Sequence, residues 1–263
     1  MTSDFISGIY NYCDYWCDRC AFTRRCRNFA MGEELKEEGR GKGRSDEENA
    51  CFWNSVNGTL ARAREQLDAL SASRFADEFW DDCEEPDEDE MKEFTQRDEA
   101  ERNVVKAHPL SVIARNYFMA VRKWLESSKP DIATAVENIV AQARCEVEAT
   151  AGDARKEFDE LEEMIEVVTW YHTLLYPKTG RFLHDILRDG PASGLCGEDT
   201  LGTAKLILVS ADRSISAWKR ILEHLPSQET HILRFLIMLD RLRRGIEKET
   251  PSARAYLRPG LDK

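Results

Sequence analysis

Apolar residues recur at steps of three and four through most of this chain, and that period commits its body to α-helices. Trp53, Val56, Leu60, Ala63, Leu67 and Leu70 fall on one helical face, and so do Leu110, Ile113, Tyr117, Val121 and Trp124. The same spacing joins Ile132, Val136, Ile139, Ala143 and Val147, then Phe158, Leu161, Ile165, Val168 and Leu175. Two further stripes close the chain: Ala204, Leu208, Ala211, Ile215, Trp218 and Leu222, and then Ile232, Phe235, Leu239, Leu242 and Ile246. No segment alternates with the period of two that a half-buried strand requires. The predicted fold is all-α, a multi-helix bundle with a small cysteine-rich metal knuckle at its N-terminus.

Punctuation between the stripes sets the expected boundaries. Pro130 suits the first turn of a helix, where its missing N–H is no loss. Gly152-Asp153 marks a break with Asp153 as an N-cap, and Phe182, Leu183, Ile186 and Leu187 form a short amphipathic segment of their own. Gly190 to Gly197 reads as a loop, and Ser227 as the cap of the last helix. Residues 31–48 are almost without apolar content and read as a charged linker, and the like-charged run at 81–90 as an acidic loop that cannot pack. The expected organisation is therefore a metal-binding segment at 1–30, the linker, a bundle over 49–250 and a tail at 251–263.

Hydrophobic residues make up 42% of the 263, enough for a sizeable core, and charged residues make up 33%, which suits helices with long solvated faces. A net charge of -12 repels phosphate backbones, so nucleic acid is a poor candidate and another protein the expected partner. No cationic start with an apolar run resembles a secretory signal, and no apolar stretch approaches the roughly 20 residues that span a bilayer. The chain reads as cytoplasmic, with no membrane segment. The Trp53–Leu70 stripe can pair inside the bundle or between subunits, which leaves the oligomeric state open.

Four of the eight cysteines lie within fourteen residues, as Cys13, Cys17, Cys20 and Cys26 in the pattern C-x3-C-x2-C-x5-C. Cys51, Cys83, Cys145 and Cys196 are scattered and read as ordinary small apolar residues or surface thiols. On a helix, steps of four and three would set Cys13, Cys17 and Cys20 in one stripe. A turn near Ala21–Thr23 would then return Cys26 as fourth ligand. Four thiolates satisfy tetrahedral zinc, and equally a [4Fe–4S] cluster. Zinc is the expectation, because structural Cys₄ sites inside cells most often hold it, and the iron–sulfur cluster is the alternative. Arg19, Arg24, Arg25 and Arg27 would offset the negative charge of either. Tyr10, Tyr12, Tyr15, Trp16, Phe22 and Phe29 would shield it. Zinc-bound thiolates are also oxidisable, so a redox switch stands beside the static staple.

The eight residues Cys13 to Cys20, as C-x3-C-x2-C, resemble the cluster-binding signature of radical S-adenosylmethionine enzymes. That resemblance implies a βα barrel and an iron left open for the cofactor. The chain shows no strand pattern, and Cys26 would fill the open position, so nothing of that family is carried over.

The helical body offers few other candidates. None of the five histidines has a glutamate three residues before it, which excludes the Glu-x-x-His pairs of di-iron bundles. Glu166 to His172 is the most chemically mixed stretch of the core. A pocket lined by His172, His184 and Asp212 is the only one the pattern suggests. Hydrogen-bonded core and boundary residues are the better explanation of the three. No phosphate-cradling glycine loop, nucleophile elbow or zinc-protease signature occurs. Arg241, Arg243 and Arg244 complement a helix C-terminus. What remains is an interaction or regulatory module, with an iron–sulfur protein for electron transfer or redox sensing as the alternative.

Overall fold

Seven α-helices form among the described residues, five of them on the periodic stripes, with no strand. The computed structural model describes residues 4–39, 87–145, 151–189 and 197–262, together with single helical positions between 54 and 65. The Trp53–Leu70 stripe, the acidic positions 81–86 and the scattered Cys51, Cys83 and Cys196 lie outside the described residues. The chain divides into two units. One comprises Met1–Phe5 with Ala21–Asp98, the other Ile6–Cys20 with Glu99–Lys263.

In the first unit, helix α1 runs Arg27–Gly39, so the linker expected from residue 31 begins instead as the continuation of a helix. Its glutamates and lysines are good helix formers, and Lys36 pairs with Glu33 at 2.7 Å one turn away. Helix α2, Glu88–Ala107, starts in this unit, with its residues from Glu99 on belonging to the second, and turns the end of the expected acidic loop into a helix start. Asp87 caps it: its Oδ1 accepts from the backbone N–H of Asp89 and Glu90 at 2.8 Å each, while Glu90 accepts back from Asp87 N at 3.2 Å. This is a capping box, and the acidic first turn lies at the positive end of the helix dipole. Like charges that would repel in a loop are stabilised there.

The second unit holds the core, built by α3 (Pro109–Ser127), α4 (Lys129–Cys145), α5 (Ala151–Asp189), α6 (Glu198–His224) and α7 (Glu229–Glu249). The residues that set the α7 stripe, Ile232, Phe235, Leu239, Leu242 and Ile246, are all buried. Helix α6 lies at the centre, packed on α5 and α7, while α3 crosses α5 and α7 from the other side. Its small residues Ala204, Ser210, Ala211, Ser214 and Ala217 let neighbours approach on several faces. The buried hydroxyls of Ser210 and Ser214 donate to the carbonyls of Leu206 and Ser210, each at 2.8 Å, so neither is left unsatisfied. An aromatic group fills the middle. Trp218 lies edge-on to Trp124 at 4.9 Å and against Phe235 at 4.7 Å, and its indole N–H donates to Tyr117 Oη at 2.9 Å.

Three boundaries differ from expectation. Helix α5 begins at Ala151, just ahead of the expected cap at Asp153, and runs through Pro177 for a length of 39 residues, so the Phe182–Leu187 segment is its last part rather than a separate element. Pro177 removes one backbone hydrogen bond. Leu175, Thr179, Phe182 and Leu183, on both sides of it, are buried against the core and hold the helix continuous. Ser227 does not cap α7: Pro226–Gln228 form a 3-10 turn, and the helix begins at Glu229. The segment read as a tail also packs, since Pro251–Arg254 form a 3-10 turn against α6 and α7 with Ala253 buried.

Candidate functional site

Residues Ile6–Cys20 form a strap laid on the helical body of the second unit. It begins with Gly8 at φ +72, a left-handed conformation that closes the Ile9–Asn11 turn and buries Ile9. Tyr12 is buried next, with its ring across Gly202 of α6, where a Cβ atom would fall 2.3 Å from a ring carbon. Its edge meets Tyr256 at 6.0 Å, and its carbonyl accepts from Arg258 at 3.3 Å. Arg258 is itself held by Asp262, Nε to Oδ2 at 3.0 Å and Nη2 to Oδ1 at 2.8 Å.

Asp14 is the polar centre of the strap. Its carbonyl accepts from the Trp170 indole at 2.8 Å, and its Oδ2 accepts from the Tyr171 hydroxyl at 2.7 Å and from Arg213 at 3.0 Å. Arg213 also donates to the Tyr171 hydroxyl. Burial first, and then the carboxylate of Asp14, push the Tyr171 phenol up to about 12. Tyr15 follows at φ 58, the one positive-φ residue besides glycine among those described, and it turns the chain back. Trp16 then stacks on Trp170 and meets Tyr171 edge-on at 6.0 Å. Arg19 lies 4.4 Å over the Trp16 ring and forms ion pairs with Glu163 at 3.0 Å and with Glu166. Lys178 sits 4.9 Å from the centre of the Tyr15 ring. Burial and then Arg181 press its ammonium below the usual lysine range, and Cys13 and Asp199 oppose that shift.

This geometry corrects the expected cysteine stripe. Residues 13–16 are not helical, and Cys17–Arg19 form only a 3-10 turn that Cys20 closes, its N–H donating to Cys17 O at 3.1 Å. A helix of eight residues is marginal alone. Each of Asp14, Tyr15, Trp16 and Arg19 gains a partner on the body by abandoning it. Cys26 closes a second 3-10 turn, Thr23–Arg25, and belongs to the other unit. All four thiols are half-buried. Among the described residues no three His, Cys, Asp or Glu side chains stand together as they would to hold a metal ion. Two of the four arginines expected to neutralise a cluster have carboxylate partners instead: Arg19 as above, and Arg25 with Asp4 at 3.5 Å.

His172, His184 and Asp212 are not brought together. His172 is buried, its Nδ1 2.7 Å from Thr169 O and 3.2 Å from Val168 O, and its ring stacks on Phe118 at 5.5 Å. His184 lies twelve residues along the same helix, about 18 Å away at 1.5 Å per residue, and faces Glu101 at 3.7 Å. Asp212 pairs with Arg254 and, at 3.8 Å, with Arg243. The mixed stretch Glu166 to His172 does matter, through Trp170 and Tyr171. Sequence reading missed that role because their partners lie in the strap, some 155 residues earlier. An aspartate beside an aromatic pair was the only signal.

Fold and site together define an all-helical protein whose bundle carries a docked, cysteine-bearing N-terminal strap. Compared with family models, curated proteins and solved structures, the chain matches none. No described helix is long and apolar enough to cross a membrane.

Proposed function

We propose that this protein is an interaction or regulatory module in which the helical body presents a thiol-rich strap to a protein partner. One observation carries the reading: Asp14, Trp16 and Arg19 each bond to the body, so the backbone around Cys13, Cys17 and Cys20 is fixed while the thiols stay half-exposed. His172, His184 and Asp212, taken up by packing and ion pairs, give less support to catalysis.

Within this proposal Cys13, Cys17, Cys20 and Cys26 take up zinc, or in the alternative a [4Fe–4S] cluster. The sequence pattern supports this, four thiols in fourteen residues. Metal uptake would require the 13–20 turns to rearrange, since no three such side chains stand together in the docked strap. Trp16, stacked on Trp170, would report that change.

Metal content and visible absorption of anaerobically purified protein test the reading, with Cys20→Ser as control. One zinc per chain that disappears in the variant supports the staple, and a brown protein supports the iron–sulfur alternative. No metal in either preparation removes the cofactor and leaves a strap of thiols on a helical module.

A further inference from the structure

The 3-10 turn Cys17–Arg19 places two thiols three residues apart at the point where the strap grips the body. The bond from Cys20 N to Cys17 O, at 3.1 Å, closes this turn. A turn closed in this way brings its first and fourth Cα atoms within about 7 Å. Disulfides span Cα separations of about 4.4–6.8 Å. Of the two residues between the thiols, Arg19 bridges to Glu163 and Glu166 on α5, and the residue before them, Trp16, stacks on Trp170. We infer that Cys17 and Cys20 form a dithiol–disulfide couple whose redox state is linked to docking of the strap.

The oxidant is a peroxide or a low-molecular-weight disulfide. With glutathione disulfide, one thiolate attacks a glutathione sulfur and expels glutathione. The second thiolate then attacks the mixed disulfide and expels another. Two protein thiols are oxidised, and one glutathione disulfide is reduced to two glutathiones. The linkage follows from geometry. Docking holds the turn closed, which keeps the second thiol near the mixed disulfide, and by reciprocity the closed disulfide favours the docked strap. The inference is independent of metal, because it needs two of the four cysteines and a different reaction.

The test uses the full-length chain, freed of metal by chelation and equilibrated in glutathione redox buffers. Remaining thiols are alkylated, and the peptides are analysed by mass spectrometry. The expected result is a single two-electron transition that places the bridge between Cys17 and Cys20 and persists in Cys13→Ser. In Cys17→Ser and Cys20→Ser that bridge should vanish, and Trp16 emission should follow the wild-type transition. Arg19→Ala, with the strap loosened, should lower the equilibrium constant for closure about tenfold, which raises the midpoint by about 30 mV for two electrons. Independent glutathione adducts at Cys17 and Cys20, a bridge to any other cysteine, or an Arg19→Ala midpoint equal to wild type would each overturn the inference. Metal analysis before chelation judges the zinc reading separately, so the two can fail apart.

Discussion

Trp16 of the strap and Trp170 of α5 stack with ring centroids 5.2 Å apart and planes 14° from parallel. The pair joins the cysteine-bearing turn to the body, and the Trp170 indole is simultaneously fixed by Asp14 O. Stacked aromatic pairs contribute about 0.5–1.5 kcal/mol beyond the area they bury. Trp16→Ala should therefore speed hydrogen exchange of amides in residues 9–20 by about tenfold or more, while amides of α6 and α7 keep their protection. Equal acceleration in both regions would show that the strap is not a separate docking element.

Gly202→Ala tests the same surface from the other side. Alanine suits a helix better than glycine by about 1 kcal/mol. The added Cβ would nevertheless clash with the Tyr12 ring, whose atoms approach the glycine from the strap. The expected outcome is a displaced strap on an intact bundle. Tyrosine and tryptophan emission should change, and helical ellipticity in urea should not. An unchanged emission spectrum would mean that Tyr12 is not seated there.

Tyr117 and Trp218 make a buried hydrogen bond at 2.9 Å, with both side chains fully enclosed. Tyr117→Phe keeps the volume and orphans the indole N–H, a loss of about 1–3 kcal/mol. Trp218→Ala instead opens a cavity beside Trp124 and Phe235 and should cost about 3–5 kcal/mol. Urea melts followed by circular dichroism measure both. A smaller loss for Trp218→Ala than for Tyr117→Phe would contradict the packing described.

His172 contributes to the acid side of the stability profile. Burial is the main cause that lowers its pKa below the ordinary 6.5, and the carbonyls of Thr169 and Val168 only partly oppose it. The unfolded chain thus takes up the proton first. The stabilising effect of the neutral ring is complete above about pH 6.5 and is lost as pH falls through the depressed folded value. His172→Gln should flatten that loss between neutral and mildly acid pH in urea melts. An undiminished slope would place the titration elsewhere.

Two phenols where strap and body meet contribute to the alkaline side. Burial, followed by Asp199, pushes Tyr12 up to about 12, and Tyr171 is raised to about 12 as well, both from 10.0. A phenol raised by folding stabilises fully below pH 10 and ceases to do so as pH climbs through its folded value. Strap docking should weaken between about pH 10 and 12, seen as altered tryptophan emission before the helices melt. Tyr171→Phe, which loses the Asp14 and Arg213 bonds, should already be weaker at neutral pH and less sensitive to alkali.

Much of the body was legible because burial on a helix is a local pattern. Leu110, Tyr117, Val121 and Trp124, like the α7 stripe, are buried where their spacing put them. Boundaries were less legible. Asp87 and Glu90 form a capping box that a run of ten residues, eight of them acidic, conceals, and α5 passes through Pro177, a residue that removes a helical hydrogen bond. Local propensity competes there with tertiary burial, and burial of Leu175, Thr179 and Phe182 prevails.

The sequence by itself determined the class of fold, the helical stripes and the crowding of four thiols near one end, since period and composition need no partner to be read. Only the tertiary structure decided what that end does. A left-handed Tyr15, the bonds of Asp14 to Trp170 and Tyr171, and the fit of Tyr12 over Gly202 each join residues far apart in the chain. Their combined contacts outweigh the weak helical preference of eight residues, and no local spacing encodes that balance.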